Sequence, residues 1–150
     1  MNEYLENAKE ELKRADHLIY VSLKYTRTVD VIKSIVERFI NCFDFVIDGL
    51  LNKAKEKKKI DLIPLSPGRK CEVLKEIYAS DQTLLDYIKF YLLLRKISLA
   101  EYTRAREYRR HVTMTSLVEG KFIELNIDII TEYYTRANMC VEYVQENLAK

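Results

Sequence analysis

The sequence predicts an all-α fold, an up-and-down bundle of about five helices with a small β-hairpin inserted near the C-terminus. Three observations carry this expectation. Apolar residues return at alternating spacings of three and four through most of the chain, the period of a helix with one buried face. Glycine (3) and proline (2) are scarce while charged residues make up 32%, a composition of long helices rather than of turn-rich β architecture. Both prolines fall within residues 60–68, which reads as the clearest linker. At 150 residues, with no internal repeat, the chain reads as one domain, residues 1–150, large enough to bury a single core.

The first helix sets Leu5, Ala8, Leu12, Ala15, Ile19 and Ser22 on one face, with Glu and Lys between them. Residues 25–28 interrupt the pattern, and Thr28 supplies the side-chain oxygen of an N-cap. The second helix is the most regular: Val29, Ile32, Val36, Phe39, Phe43, Val46 and Leu50 keep the spacing without a miss, while Ile35, Ile40 and Ile47 widen the stripe. It predicts roughly thirty residues, about 45 Å of helix, facing more than one neighbour as a central spine. The lysines of residues 53–59 then place positive charge where a helix C-terminus favours it.

Ser66 and Pro67 form an N-cap followed by proline at the first helical position, so a shorter helix should run from 67 to about 79 and bury Cys71, Leu74, Ile77 and Tyr78. Ser80 or Asp81 starts the next, which reaches about residue 97. Its Leu84, Leu85, Ile88, Tyr91, Leu92 and Leu94 cover most of its circumference, which marks it as the most buried element. Ser98 reads as a cap for a further turn or two of helix. Residues 112–118 and 121–127 are rich in β-formers and flank Glu119 and Gly120, the pattern of a hairpin. From Asp128 as N-cap, Ile130, Tyr133, Ala137, Cys140, Val144 and Leu148 mark a last amphipathic helix.

A formal charge of +2 gives no global field, so any anion site must come from local clustering. Cys42, Cys71 and Cys140 are far apart and form no C-x-x-C pair, which predicts buried free thiols. The first residues carry charge where a secretory signal needs an apolar core, and no apolar run is long enough to cross a bilayer. The expectation is a cytoplasmic protein with no membrane partner. Metal-ligand spacings and glycine-rich phosphate loops are absent from the sequence, so no metal and no cofactor is expected.

One stretch suggests chemistry. Residues 104–111 gather four arginines, Arg104, Arg106, Arg109 and Arg110, and one of only two histidines, His111. Histidine titrates near neutrality and can move a proton, and arginine offers a fixed fork of donors to a phosphate whose charge grows in the transition state. In RNA the neighbouring 2′-hydroxyl is a built-in nucleophile, so these two residue types suffice for phosphodiester cleavage without a metal. Geometry constrains the pairing: on a straight helix Arg106 and His111 diverge by roughly 140°. They cooperate only if the helix ends or distorts near Arg109, or if a second chain supplies one of them. Tyr102 and Tyr108 flank the arginines and are the best placed tyrosines for base stacking.

This stretch on a helical frame resembles the HEPN superfamily, all-helical domains whose nuclease members carry an R-x4–6-H motif and act as metal-independent ribonucleases, generally as dimers. Arg106 and His111 match that motif, and Arg104 fits its longer spacing. The resemblance implies catalytic Arg106 and His111; in the same stretch Arg104, Arg109 and Arg110 read as cations that position RNA, Tyr108 as a stacking face and Glu107 as a carboxylate able to orient the arginine. It also implies a homodimer and, as in toxin–antitoxin pairs, a partner protein such as a nucleotidyltransferase-like subunit. The sequence departs from the family at two positions: Glu107 follows the motif arginine where Asn, Asp or His is common, and Thr113 stands where some toxin members carry a modifiable tyrosine. Two other classes stay open: a non-catalytic helical interaction module, antitoxin-like or a scaffold subunit, and an RNA-binding protein that does not cleave. A charged helix ending in a histidine that caps its last carbonyls would present the same residues.

Overall fold

A computed structural model describes the whole chain, Met1–Lys150. The protein is mostly helical, with a small three-stranded antiparallel sheet near the C-terminus. Helix α1 (Asn2–His17) buries Leu5, Ala8, Leu12 and Ala15, passes through one wide π turn (Leu18–Ser22) and ends in a single helical turn, α2 (Leu23–Tyr25). Thr28 caps α3 (Val29–Glu56) as its sequence position implies, its Oγ1 accepting from the Val31 N–H at 3.4 Å.

Helix α3 is the spine, packing against α1, α4 (Pro67–Ile77), α5 (Gln82–Leu99) and α6 (Ile127–Asn147). It buries fourteen residues against six in α5, so α3 and not α5 is the most buried element. The physical reason is that the outer side of α5 borders an open groove, so that Leu85, Leu92 and Leu93 are only half-buried. Two details fix α1 on α3. Gly49 admits the start of α1, since a Cβ there would meet the Met1 side chain and the Tyr4 Cβ at 2.9 Å. Glu11, only 6% exposed, forms ion pairs at 3.1 Å with both Arg14 and Arg38.

Ser66 Oγ accepts from the Arg69 N–H at 3.3 Å and opens α4 with Pro67 in its first turn. Asp81, not Ser80, caps α5, accepting from the Leu84 N–H at 3.0 Å. Ser98 lies inside α5 and caps nothing. The expected extra helical turn is replaced by a strand, β1 (Tyr102–Ala105), which pairs with β2 (Thr113–Val118), itself paired with β3 (Lys121–Leu125). The sheet thus has three strands where the sequence pattern predicts two. The β2–β3 hairpin turns at Glu119 (φ 51°) and Gly120 (φ 79°), a two-residue turn with both φ values positive, whose twist matches the strands. The last helix is capped by Asn126, which accepts from the Ile129 N–H at 2.9 Å, and Asp128 instead sits in its first turn, where a carboxylate meets the positive end of the helix dipole.

The three cysteines are free and buried. Burial pushes the Cys71 thiol up to about 11 and those of Cys42 and Cys140 well above the usual range, which leaves them little thiolate to react with. No helix is long and apolar enough to cross a membrane.

Candidate functional site: a polar cleft at the β1–β2 loop

The arginine-rich stretch is not helical. Arg104 lies on β1, and the seven residues 106–112 form the loop joining β1 to β2, closed by two successive tight turns in which Arg109 N–H donates to Arg106 C=O (3.2 Å) and Val112 N–H to Arg109 C=O (3.1 Å). The helical divergence of Arg106 and His111 therefore does not arise. Both line one cleft of about 280 Å³ in a single chain, together with Arg110, Thr113, Glu124, Asn126, Ile127 and Asp128.

The loop holds an unusual backbone. Arg106 (φ 54°) and Tyr108 (φ 64°) both sit in the left-handed region without being glycine, a conformation that costs about 1 kcal/mol or more per residue and persists only where surroundings impose it. The surroundings here are the segment between α2 and α3. Tyr108 N–H donates to the Arg27 carbonyl at 2.6 Å, and Glu107 Oε2 accepts from the Val29 N–H at 3.2 Å. Glu107 thereby satisfies one of the orphan donors at the start of α3 and places its charge at the positive end of that helix. Its other contact is Arg104, at 3.6 Å. The carboxylate that follows the motif arginine is thus turned toward α3 and Arg104, not spent on Arg106.

Arg104 is itself engaged. It donates to Asp30 at 2.9 Å and to the Tyr102 hydroxyl at 3.2 Å, and the Asp30 hydrogen bond holds its guanidinium more firmly protonated. Of the two arginines that fit the motif spacing, Arg106 lines the cleft with His111 and Arg104 does not. Arg109 and Tyr108 are exposed on the same loop outside the cleft lining, Tyr108 at 77%. Tyr102 carries Lys33 over its ring at 4.5 Å, so that face is already occupied.

The cations of this loop differ from the rest. Of the ten arginines, Arg14, Arg38, Arg69 and Arg104 are ion-paired to carboxylates, and Arg95 and Arg136 lie over the rings of Tyr91 and Phe90. The remaining four, Arg27, Arg106, Arg109 and Arg110, have neither kind of partner, and all four belong to this loop or to the segment it docks on. Arg27 is half-buried with its Nε shielded from solvent and unsatisfied. Unpaired guanidinium groups gathered at one place make a site for a polyanion.

Sequence reasoning missed three groups here. Arg27 could have been noticed as a lone arginine in a helix break. Glu124 on β3 and Asp128 on α6 reach the cleft only through the sheet topology, and no sequence spacing links them to His111. No three His, Cys, Asp or Glu side chains converge as a metal-holding group. No family model, curated protein or solved structure matches this chain.

Proposed function

We propose that this protein is a metal-independent endoribonuclease of HEPN type, with its reactive groups in the cleft at the β1–β2 loop. The observation that carries the reading is the lining of one cleft, within one chain, by both Arg106 and His111. His111 takes the proton of a ribose 2′-hydroxyl, O2′ attacks phosphorus, and the bond from phosphorus to O5′ breaks as O5′ takes a proton from solvent, to which His111 then releases its own, so that no net proton is gained or lost. Arg106 donates to the phosphoryl oxygens as charge builds on them. The products are a 2′,3′-cyclic phosphate and a 5′-hydroxyl, so the step consumes no water, metal or redox partner. Glu124 and Asp128 across the cleft are the carboxylates available to hold a protonated imidazolium in place.

Arg27, Arg109 and Arg110 supply unpaired charge for the flanking phosphates, and the exposed Tyr108 ring offers a stacking face for a base. Arg104, held by Asp30, supports the loop and adds charge at its edge. Assembly as a homodimer and pairing with a nucleotidyltransferase-like protein go with the HEPN reading and rest on that resemblance alone, and a cytoplasmic location rests on the charged start of the chain.

The test is cleavage of single-stranded RNA in EDTA, with the ends of the products identified. Wild type should give 2′,3′-cyclic phosphate ends and His111→Ala none. RNA bound with a strong salt dependence but left uncut by wild type would favour the RNA-binding reading, and no affinity even at low salt would favour the interaction module.

A further inference from the structure

The outer side of α5 lines an open groove of about 890 Å³ bounded by α4, the β2–β3 turn and α6. It shares no residue with the cleft at the β1–β2 loop. Its floor is apolar: Leu85, Leu92 and Leu93 stand at positions i, i+7 and i+8 of α5, half-buried, packed on one edge against the core that holds Leu84, Ile88, Tyr91 and Leu94 and open to the groove on the other. A helix apolar on both sides is expected where both sides are covered. In this chain the groove side is covered only in part.

The rim decides what fits. Lys75, Lys89 and Arg136 have no carboxylate partner, Arg136 lying over the Phe90 ring at 3.9 Å; Glu119 is paired with Lys96 at 2.7 Å and Asp86 accepts from the Gln82 amide at 2.9 Å while keeping its charge, so four cations outnumber two carboxylates on the rim. Two copies apposed through this face would set one net positive rim against another, which disfavours self-association here. An acidic partner relieves the same charges. Residues 85–96 span about 17 Å, three turns of a facing helix.

We propose that this groove docks an amphipathic helix of another protein, with leucine-like anchors at i, i+3/i+4 and i+7 laid on Leu85, Leu92 and Leu93 and with Glu or Asp flanks against Lys75, Lys89 and Arg136. The interaction is independent of RNA cleavage and stands whether or not the cleft is a nuclease.

The probes are two labelled synthetic helices with the same leucine face, one flanked by glutamates and one by lysines, titrated by fluorescence anisotropy. The glutamate helix should bind and the lysine helix should bind about tenfold more weakly or not at all, a difference on the order of two surface ion pairs. The double variant Lys75→Glu/Lys89→Glu, whose two positions are exposed and leave the core untouched, should reverse the preference while keeping the wild-type circular dichroism. Equal binding of both helices, binding of neither, or binding unchanged by the double variant would overturn the proposal. So would a change in the mass of the protein alone on Leu92→Glu substitution, which would assign the face to a second copy.

Discussion

Glu107 Oε2 accepts a hydrogen bond from the Val29 N–H, 3.2 Å away and 78 residues earlier in the chain. That contact ties the loop bearing Arg106 and His111 to the start of the longest helix and supports the left-handed backbone on either side of Glu107. A carboxylate at a helix N-terminus that also satisfies an N–H is worth about 1 kcal/mol. Glu107→Ala should therefore lower stability by about that amount in urea unfolding and reduce RNA cleavage as the loop loosens, while Glu107→Gln, which keeps the acceptor, should lose less of both. Wild-type stability and cleavage in Glu107→Ala would show that the loop holds its shape by other means.

The four unpaired arginines predict a specific salt signature. Each phosphate contact on a single strand contributes about −0.7 to the slope of log affinity against log salt concentration. Arg27→Ala and Arg109→Ala should each flatten that slope by about this amount for a short single-stranded RNA, with unchanged unfolding midpoints. Arg69→Ala, which breaks an exposed pair with Glu72 far from the loop in sequence, should leave the slope alone. A flattening equal in all three variants would mean that the charge is read diffusely over the surface.

A half-buried acid inside the bundle gives a pH prediction. Tyr91 donates its hydroxyl proton to Asp44 at 2.5 Å, and burial raises the Asp44 carboxyl above its ordinary range despite that hydrogen bond and the nearby Arg95. A carboxyl with a raised value in the folded state binds its proton more tightly there than in the unfolded chain. Its contribution to stability is complete below the ordinary carboxylate range and is lost as pH rises through the raised value. Asp44→Asn keeps an acceptor for Tyr91 without the charge. It should flatten the fall in stability measured by urea unfolding as pH rises above the ordinary carboxylate range, and be no less stable than wild type at neutrality. A steeper fall in the variant would contradict this sign.

The helices and most of their caps were legible because spacing and capping chemistry are local. The three-four stripe from Val29 to Leu50 and the oxygens of Thr28, Ser66 and Asp81 name α3, α4 and α5 almost to the residue. The last cap moved from Asp128 to Asn126 because both residue types cap equally well, and the choice was made by where β3 ends. Strand β1 escaped notice because its four residues show no polar–apolar alternation: it exists through pairing with β2, and its partner positions, Tyr102 with Ser116 and Arg104 with Met114, are set by tertiary contact. The same holds for the site. Arg106 and His111 were visible as residues, but their shared cleft depends on left-handed turns at Arg106 and Tyr108 that no glycine announces and that Arg27 and Val29 impose from a distant segment.

The central claim is that Arg106 and His111 act together in the cleft of one chain. The most direct measurement is RNA cleavage by Arg106→Ala, by His111→Ala, and by the two variants co-expressed and purified together so that mixed assemblies form. Each variant alone should be inactive and the mixture should remain inactive, because no chain in it carries both residues. Recovery of cleavage in the mixture would place the pair across two chains, and wild-type cleavage by either single variant would contradict the claim outright.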